Sequence, residues 1–151
     1  MPQALTKVYV HITFCTKYRC PSIDKSIEQE LWDYIGGVCK SLDCSPIRVG
    51  GYYDHVHICC LLSRKISQAK LLEEIKRQSS KWIKTKGRQY QNFYWQTGYA
   101  VFAVNPRGVE RVVKYIENQH EHHDKKRRFQ EELVAFLNHY NVEYDERYLW
   151  D

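Results

Sequence analysis

Residues 47–62 read IRVGGYYDHVHICCLL, and this stretch decides how the rest of the chain is interpreted. Two runs rich in β-branched and aromatic residues lie on either side of Asp54, a composition that favours β-strands. Gly50 and Gly51 allow a bulge or a bend in the first of these strands. We therefore expect a β-hairpin in the middle of the chain.

Further elements are predicted on both sides of this hairpin. An alternating run over 8–16 predicts a first strand, and the segment 26–40 carries apolar residues at helical spacing after a Ser26-x-x-Gln29 capping pattern. The later predictions are a second helix over about 67–85, a fourth strand over 99–104, a third helix over about 106–122, and a short helix with a tail over about 129–151. This order predicts an α+β, ferredoxin-like (RRM-like) fold, in which a split βαβ antiparallel sheet carries an added C-terminal helix.

Length and composition limit the possible classes of protein. The 151 residues fit one domain, residues 1–151, and the 43% hydrophobic content exceeds that of a disordered chain. No apolar run approaches the roughly 20 residues needed to cross a bilayer, and the first residues lack the apolar core of a signal peptide. The six cysteines contain no C-x-x-C pair, which argues against a zinc or disulfide framework. We therefore expect a soluble, cytoplasmic protein with no membrane partner.

The predicted second helix is strongly basic. Its cations fall within one narrow stripe opposite the apolar side and are opposed by few acidic residues; they are Lys70, Arg77, Lys81 and Lys84. The net charge of the chain, +5, also favours an anionic partner. The stripe fits a phosphate backbone, but an ordinary solvent-exposed helix face remains an alternative.

The hairpin carries two histidines on one face. Side chains alternate along a strand, so His55 and His57 should lie close enough to share one divalent cation, with Cys59 packed on the same face. An H-x-H pair alone is a weak signal, because such pairs are often structural.

On the predicted third helix, Tyr115 and Gln119 lie four residues apart on one flank. The Gln119 amide oxygen is a ligand suited to Mg²⁺ or Mn²⁺, and a phenol beside the cation is a candidate nucleophile.

A family resemblance rests on these motifs and their spacing. YDHVHICC (53–60) and YIENQ (115–119) resemble the HUH single-tyrosine transposases (TnpA) of the smallest bacterial insertion sequences and their REP-associated relatives. HITFCTKYR (11–19), RQSSKWIK (77–84) and WQTGYAVFAV (95–104) resemble recurrent segments of that family in the same order. The likeness extends over nearly the whole chain.

The resemblance implies a transposase that cuts and rejoins single-stranded DNA beside hairpins at the ends of an insertion element. It implies His55, His57 and Gln119 as ligands of Mg²⁺ or Mn²⁺, and Tyr115 as the nucleophile of a 5′-phosphotyrosine intermediate. The predicted third helix would then be catalytic, and no nucleotide cofactor would be needed. The resemblance further implies a bacterial protein that forms homodimers. It leaves open whether Tyr115 acts within its own chain or on the partner's histidines.

Other residues and functions stay under consideration. Lys17 and Arg19, just past the first strand, are further candidates for contacts with DNA phosphates. His120, His122 and His123 are interpreted as a solvated helix end. The main alternative function is a non-cleaving protein of the same fold that binds a single strand or a hairpin. A small metal-binding or regulatory protein without a nucleic acid partner is a second alternative.

Overall fold

A computed structural model describes residues 3–125 and 128–149 of the chain. The strands are β1 (Tyr9–Cys15), β2 (Pro46–Tyr52), β3 (His55–Leu61) and β4 (Ala100–Val104). The helices are α1 (Glu28–Ser41), α2 (Gln68–Ile83), α3 (Val109–Glu117), α4 (Gln119–Lys125), α5 (Phe129–His139) and α6 (Glu146–Leu149). Within the described residues the strands form one antiparallel sheet in the order β2-β3-β1-β4. The predicted α+β, ferredoxin-like arrangement is confirmed.

The two faces of the sheet differ in chemistry. On β1, Val10, Ile12 and Phe14 join a buried apolar core with α1 and α2. The intervening residues face the other side, where α3 packs on β2 and β3 and α5 covers β1 and β4. Pairing of β1 with β3 places Thr13 opposite His57. One face therefore holds most of the apolar core, and the other holds the polar side chains.

The central hairpin forms as predicted, but its irregularity lies elsewhere than expected. A tight turn joins β2 to β3, and the register shift in their pairing falls between Pro46 and Arg48 instead of at the glycines. Gly50 has a different role, because a Cβ atom there would lie 2.8 Å from Ile116 Cγ2 and 3.0 Å from the Ile116 carbonyl oxygen. Glycine thus allows α3 to approach the sheet closely, opposite His57.

The start of α1 differs from the predicted capping box. The helix begins at Glu28, its N-cap position Ile27 carries no side-chain cap, and the Asp24 carboxylate holds the turn that precedes it. Its Oδ1 accepts hydrogen bonds from the Ile27 backbone amide at 3.1 Å and from the Ser26 hydroxyl at 2.5 Å. A carboxylate near the first turn also interacts favourably with the helix dipole, so Asp24, and not the predicted Ser26 capping box, stabilises the start of α1.

The prediction of one continuous helix over 106–122 is wrong. A 3₁₀ turn spans Pro106–Gly108, α3 follows, and the chain leaves helical geometry at Asn118, which has φ −97° and ψ 20°. Asparagine is a weak helix former, and α4 begins directly after it at Gln119. The break therefore lies between the two residues that the sequence placed on one helical flank.

The remaining helices agree closely with expectation. The predicted second helix over 67–85 is α2, whose first turn is capped by Ser67 Oγ accepting from the Lys70 amide at 3.0 Å. The predicted C-terminal helix is α5, followed by α6, while residues 150–151 of the predicted tail lie outside the described part of the chain. Among the described residues, no helix combines the length and apolar character required to cross a membrane.

Candidate active site

His55 and His57 lie side by side on the polar face of β3, and both are fully buried. One nitrogen of each ring is occupied by a neighbour: Asp54 Oδ1 lies 2.7 Å from His55 Nδ1, and His11 Nε2 lies 2.8 Å from His57 Nδ1. Such partners fix the orientation of an imidazole and direct its other nitrogen. The two Nε2 atoms are consequently aimed at the same space between β3 and α5.

A carboxylate from α5 fills that space. Glu132 Oε1 lies 2.7 Å from His57 Nε2 and 3.6 Å from His55 Nε2, and the residue is only 1% exposed. One possible ligand atom from each of these three residues lies within 4.8 Å of the others. Two imidazoles and one carboxylate in this arrangement are compatible with a divalent metal.

Gln119 closes the site from the start of α4. Its Oε1 lies 2.9 Å from His55 Nε2, and the residue is 1% exposed. His123, one turn later, lies 3.0 Å from the same amide oxygen and 2.9 Å from Glu132 Oε2. The interpretation of this histidine as part of a solvated helix end is therefore wrong, since its side chain is only 3% exposed.

The other two histidines of that segment have partners of their own. His120 Nε2 lies 2.7 Å from Glu28 Oε2, which ties α4 to α1. His122 Nε2 lies 3.6 Å from Glu132 Oε2 and, with His123 and that carboxylate, forms a second group with metal-ligand chemistry. Only part of this histidine run faces solvent, because α4 folds against the sheet after the break at Asn118.

Tyr115 lies beside the histidine pair of its own chain. Its hydroxyl donates a hydrogen bond to the Glu132 carboxylate. The Tyr115 ring centroid lies 5.6 Å from that of His57 and 6.3 Å from that of His11. A single chain thus brings the phenol, both histidines and Gln119 together around Glu132.

Burial sets the charge of the site. Desolvation lowers the pKa of His57, and it lowers the pKa of His11 to about 3, with a smaller contribution from His57. Burial alone would raise the pKa of Glu132, but His57 and the hydrogen bonds from His123 and His57 outweigh it and hold that pKa far below its usual range. The site therefore presents an ionised carboxylate beside His57, whose pKa is lowered by burial, and a carboxylate with an imidazole suits a cation.

Of the two cations predicted after β1, Arg19 is the one that the structure places near this site. Arg19 lines a cavity that His123 also lines, and the exposed Lys17 places its Nζ 5.4 Å from the ring centroid of Tyr18. Both residues follow directly on β1, which carries His11.

The basic stripe of α2 lies elsewhere. The apolar side of α2 packs on the face of the sheet that carries Ile12, so the sheet separates the stripe from the histidines. Glu74 neutralises part of it, because Glu74 lies 2.7 Å from Arg77 and 3.6 Å from Lys70. Lys81 is exposed, and Lys84 Nζ lies 4.4 Å from the ring centroid of Tyr94.

Besides His123, sequence reasoning missed Glu132 and His11 in the site, and Lys76, which supports the loop over 96–98. Glu132 was detectable in principle, because it lies on the apolar side of α5 with Phe129 and Leu133. His11 had no such signal, since its role depends on the pairing of β1 with β3. Lys76 was also missed; its ammonium donates to three successive backbone carbonyls, at 2.7 Å from Gln96, 3.0 Å from Thr97 and 2.7 Å from Gly98.

The fold and the site together define a class of protein. A ferredoxin-like sheet with an H-x-H pair on an inner strand and a tyrosine on the helix that faces it is the arrangement expected of single-tyrosine HUH transposases. The profile of the family described as "Transposase IS200 like" matches residues 4–119, and the chain belongs to this family. Membership supports DNA cleavage and transfer as its activity.

Solved structures agree on the fold. A proposed transposase from Deinococcus radiodurans R1 superposes with a TM-score of 0.61 at 19% identity, covering 79% of this chain and 98% of that one. A REP-associated tyrosine transposase bound to a REP hairpin superposes with a TM-score of 0.59 at 16% identity, covering 96% of this chain and 91% of that one. No curated protein matches the chain. The family match ends at Gln119, so Glu132 lies outside it.

Proposed function

We propose that the protein cuts and rejoins single-stranded DNA through a covalent bond to Tyr115. The observation that carries this proposal is that the Tyr115 ring lies against His57 and its hydroxyl bonds to Glu132, the carboxylate that also contacts the buried His55 and His57. Both motifs fall within the segment that matches the transposase family. A phenol held by a helix and a carboxylate is positioned better than one on a loop.

The proposed cleavage step is a substitution at the phosphorus atom of the scissile phosphate. The Tyr115 oxygen attacks the phosphorus, and the bond from phosphorus to the 3′ oxygen breaks. The products are a 5′-phosphotyrosine and a strand that ends in a 3′ hydroxyl, which takes up a proton from water. The phenol proton leaves to water as the new bond forms, which balances the proton that the 3′ oxygen takes up, while the Glu132 carboxylate accepts the hydrogen bond of the phenol and orients it. A later attack by a DNA 3′ hydroxyl reverses these changes and joins the strands, so no nucleotide cofactor is required.

The same residues fit a divalent cation. His55 and His57 would offer their Nε2 atoms, Gln119 an amide oxygen and Glu132 a carboxylate oxygen. Bound Mg²⁺ or Mn²⁺ would offset the negative charge on the scissile phosphate and so ease attack by a phenol, whose pKa is ordinarily near 10. Asp54 and His11 would hold the two rings in the ligating orientation.

The DNA substrate is a single strand with a hairpin. The REP-associated relative was solved with a REP hairpin, and the net charge of +5 on this chain favours an anionic partner. Lys17, Arg19 and the α2 stripe are the cations proposed to contact phosphates. A homodimer, implied by the resemblance, stays a prediction.

Labelled single strands carrying the hairpin-forming sequences that flank the gene provide the test. We expect Mn²⁺ or Mg²⁺ to produce a covalent protein–DNA adduct on a denaturing gel, and Tyr115→Phe to abolish it. His57→Ala should also abolish the adduct while leaving DNA binding within about twofold, because this ring would hold the cation and not the strand. Equal cleavage by Tyr115→Phe and the wild type would exclude Tyr115 as the nucleophile. Binding without any adduct would favour the non-cleaving alternative.

A further inference from the structure

The cavity that Arg19 and His123 line adjoins the candidate active site. It has a volume of about 400 Å³ and opens to solvent between the end of β1 and the start of α5. Asp54 and His123, which contact His55 and Glu132, form its inner wall. Its other polar and aromatic lining residues include Tyr18, Arg19, Tyr52 and Arg128.

The cavity brings two arginines together from distant parts of the chain. Arg19 follows β1, whereas Arg128 directly precedes α5. Arg128 is largely exposed, with its side chain 79% accessible and Nε 3.4 Å from Glu131 Oε1. A guanidinium presents several N–H groups in a plane and suits a phosphate. The outer wall of the cavity is thus built for an anion, although the inner wall contains an acidic residue.

The backbone at Tyr18 is strained. Tyr18 and Arg19 both have left-handed dihedrals, with φ of 58° and 54°, a region that bulky L-residues rarely occupy. Hydrogen bonds on both sides hold the turn: Lys17 N donates to the Tyr94 carbonyl at 2.8 Å, and Arg19 N donates to the Thr16 carbonyl at 2.9 Å. Strain that the surrounding structure enforces concentrates at functional sites.

The strained turn does not serve to bury the Tyr18 side chain. The Tyr18 side chain is 78% exposed, so its ring does not help to bury the apolar core. The turn holds the Tyr18 ring at the opening of the cavity that Arg19 and Arg128 line. An exposed aromatic face beside cations is how proteins bind unpaired nucleobases.

We propose that this cavity binds one nucleotide of the single strand, immediately next to the phosphate that is cut. The base stacks on Tyr18, and the phosphate of that nucleotide pairs with Arg19 and Arg128. This assignment rests on the proposed function and deepens it, because it places a neighbouring nucleotide beside the active site.

Binding of fluorescein-labelled oligothymidylate, measured by anisotropy in EDTA, tests the proposal without cleavage. We expect Tyr18→Leu to weaken binding about tenfold through loss of stacking, and Tyr18→Phe to bind like the wild type. Tyr144→Leu, at an exposed tyrosine outside the cavity, is the matched control and should change nothing. Unchanged affinity for Tyr18→Leu would overturn the proposal.

A glycine variant separates binding from folding. Glycine adopts left-handed dihedrals without strain, so Tyr18→Gly should melt at the same temperature as the wild type or higher. Its affinity for the oligothymidylate should fall as far as that of Tyr18→Leu. A lower melting temperature with unchanged affinity would mean that Tyr18 serves the fold alone, and would overturn the proposal.

Salt dependence and abasic substrates test the rest of the assignment. The double variant Arg19→Gln, Arg128→Gln should reduce the slope of log affinity against log salt by about 0.7 for the one phosphate contact.

An abasic substrate tests the stacking of the base on Tyr18. In the cleavage assay, Tyr18→Leu should form the adduct more slowly than the wild type, and this difference should disappear only when the nucleotide next to the cut is abasic. If the wild type cuts DNA and neither effect is seen, the cavity assignment fails while the proposed function stands. If the wild type binds no single strand, both fail.

Discussion

The environment of Glu132 is the most consequential feature at the scale of single residues. The carboxylate is surrounded by His57 at 2.7 Å, His123 at 2.9 Å and the Tyr115 hydroxyl. A buried carboxylate requires such donors, since an unpaired charge in the interior is strongly unfavourable. The arrangement also places a negative charge where a cation would bind, and we therefore regard Glu132 as a ligand in addition to the three inferred from the sequence.

Replacing Glu132 by glutamine removes this charge with little change in shape. We expect Glu132→Gln to weaken Mn²⁺ binding about 10- to 100-fold, measured by calorimetry, and to slow formation of the covalent adduct. Glu143→Gln, at an exposed glutamate, is the control and should bind Mn²⁺ like the wild type. Unaltered Mn²⁺ affinity would exclude the carboxylate as a ligand, and faster cleavage would show that it blocks the site instead.

At the scale of elements, the approach of α3 to β2 decides where Tyr115 lies. Ile116 is 1% exposed and contacts the sheet at Gly50, the residue paired with His57 across the hairpin. The adjacent Tyr115 consequently reaches the histidine face. The break at Asn118 then allows Gln119 to begin a new helix with its side chain on His55.

Gly50→Ala should disturb this approach. The added Cβ would lie 3.0 Å from the Ile116 carbonyl oxygen, so α3 must move outward. We expect a loss of about 1–3 kcal/mol in the free energy of unfolding by urea, together with reduced adduct formation.

Gly37→Ala serves as the control for that substitution. Gly37 lies in α1, and a Cβ there meets nothing within 4 Å. The change should stabilise the protein by about 0.5–1 kcal/mol and leave cleavage unchanged. Wild-type cleavage by Gly50→Ala would mean that the position of α3 is not set by this contact.

The basic stripe of α2 makes a separate prediction. Arg77 is held by Glu74 at 2.7 Å, whereas Lys81 is exposed on the same helix. We expect Lys81→Gln to reduce the salt slope of single-strand binding by about 0.7, and Arg77→Gln to reduce it less, because its charge is already compensated. If neither variant alters the slope, the stripe is an ordinary solvent-exposed face.

At the scale of the whole molecule, the sheet separates two layers with different tasks. One layer, formed with α1 and α2, buries the main apolar core, and the other, formed with α3, α4 and α5, encloses the polar site. The site side chains come from β3, α3, α4 and α5 of one chain, with support from β1. The histidines and the tyrosine therefore need no second chain to meet.

Mixing two variants that we expect to be inactive tests whether this arrangement is the active one. Tyr115→Phe retains the histidines, and His57→Ala retains Tyr115, the proposed nucleophile. Because both groups meet within one chain, we expect the mixture to form no adduct, with light scattering reporting whether the proteins associate. Restored cleavage would show that Tyr115 acts on the histidines of another copy, as in a composite dimer.

Much of the fold could be predicted because it depends on local pattern. The alternating run around His55 and His57 fixes β3, and the helical spacing in α2 places its apolar and charged sides. The break at Asn118 was missed because a single asparagine is only a weak stop signal, and packing against the sheet decides whether the helix continues.

The sequence by itself determined the family, the order of the elements, and the pair of motifs that carries His55, His57, Tyr115 and Gln119, because these depend on residue type and spacing along the chain. Only the tertiary structure decided that Glu132 lies between them and that His11 orients His57. Those contacts join residues 75 and 46 positions apart, respectively. Their formation depends on how α5 packs on the sheet and on the register of β1 with β3, which no local pattern encodes.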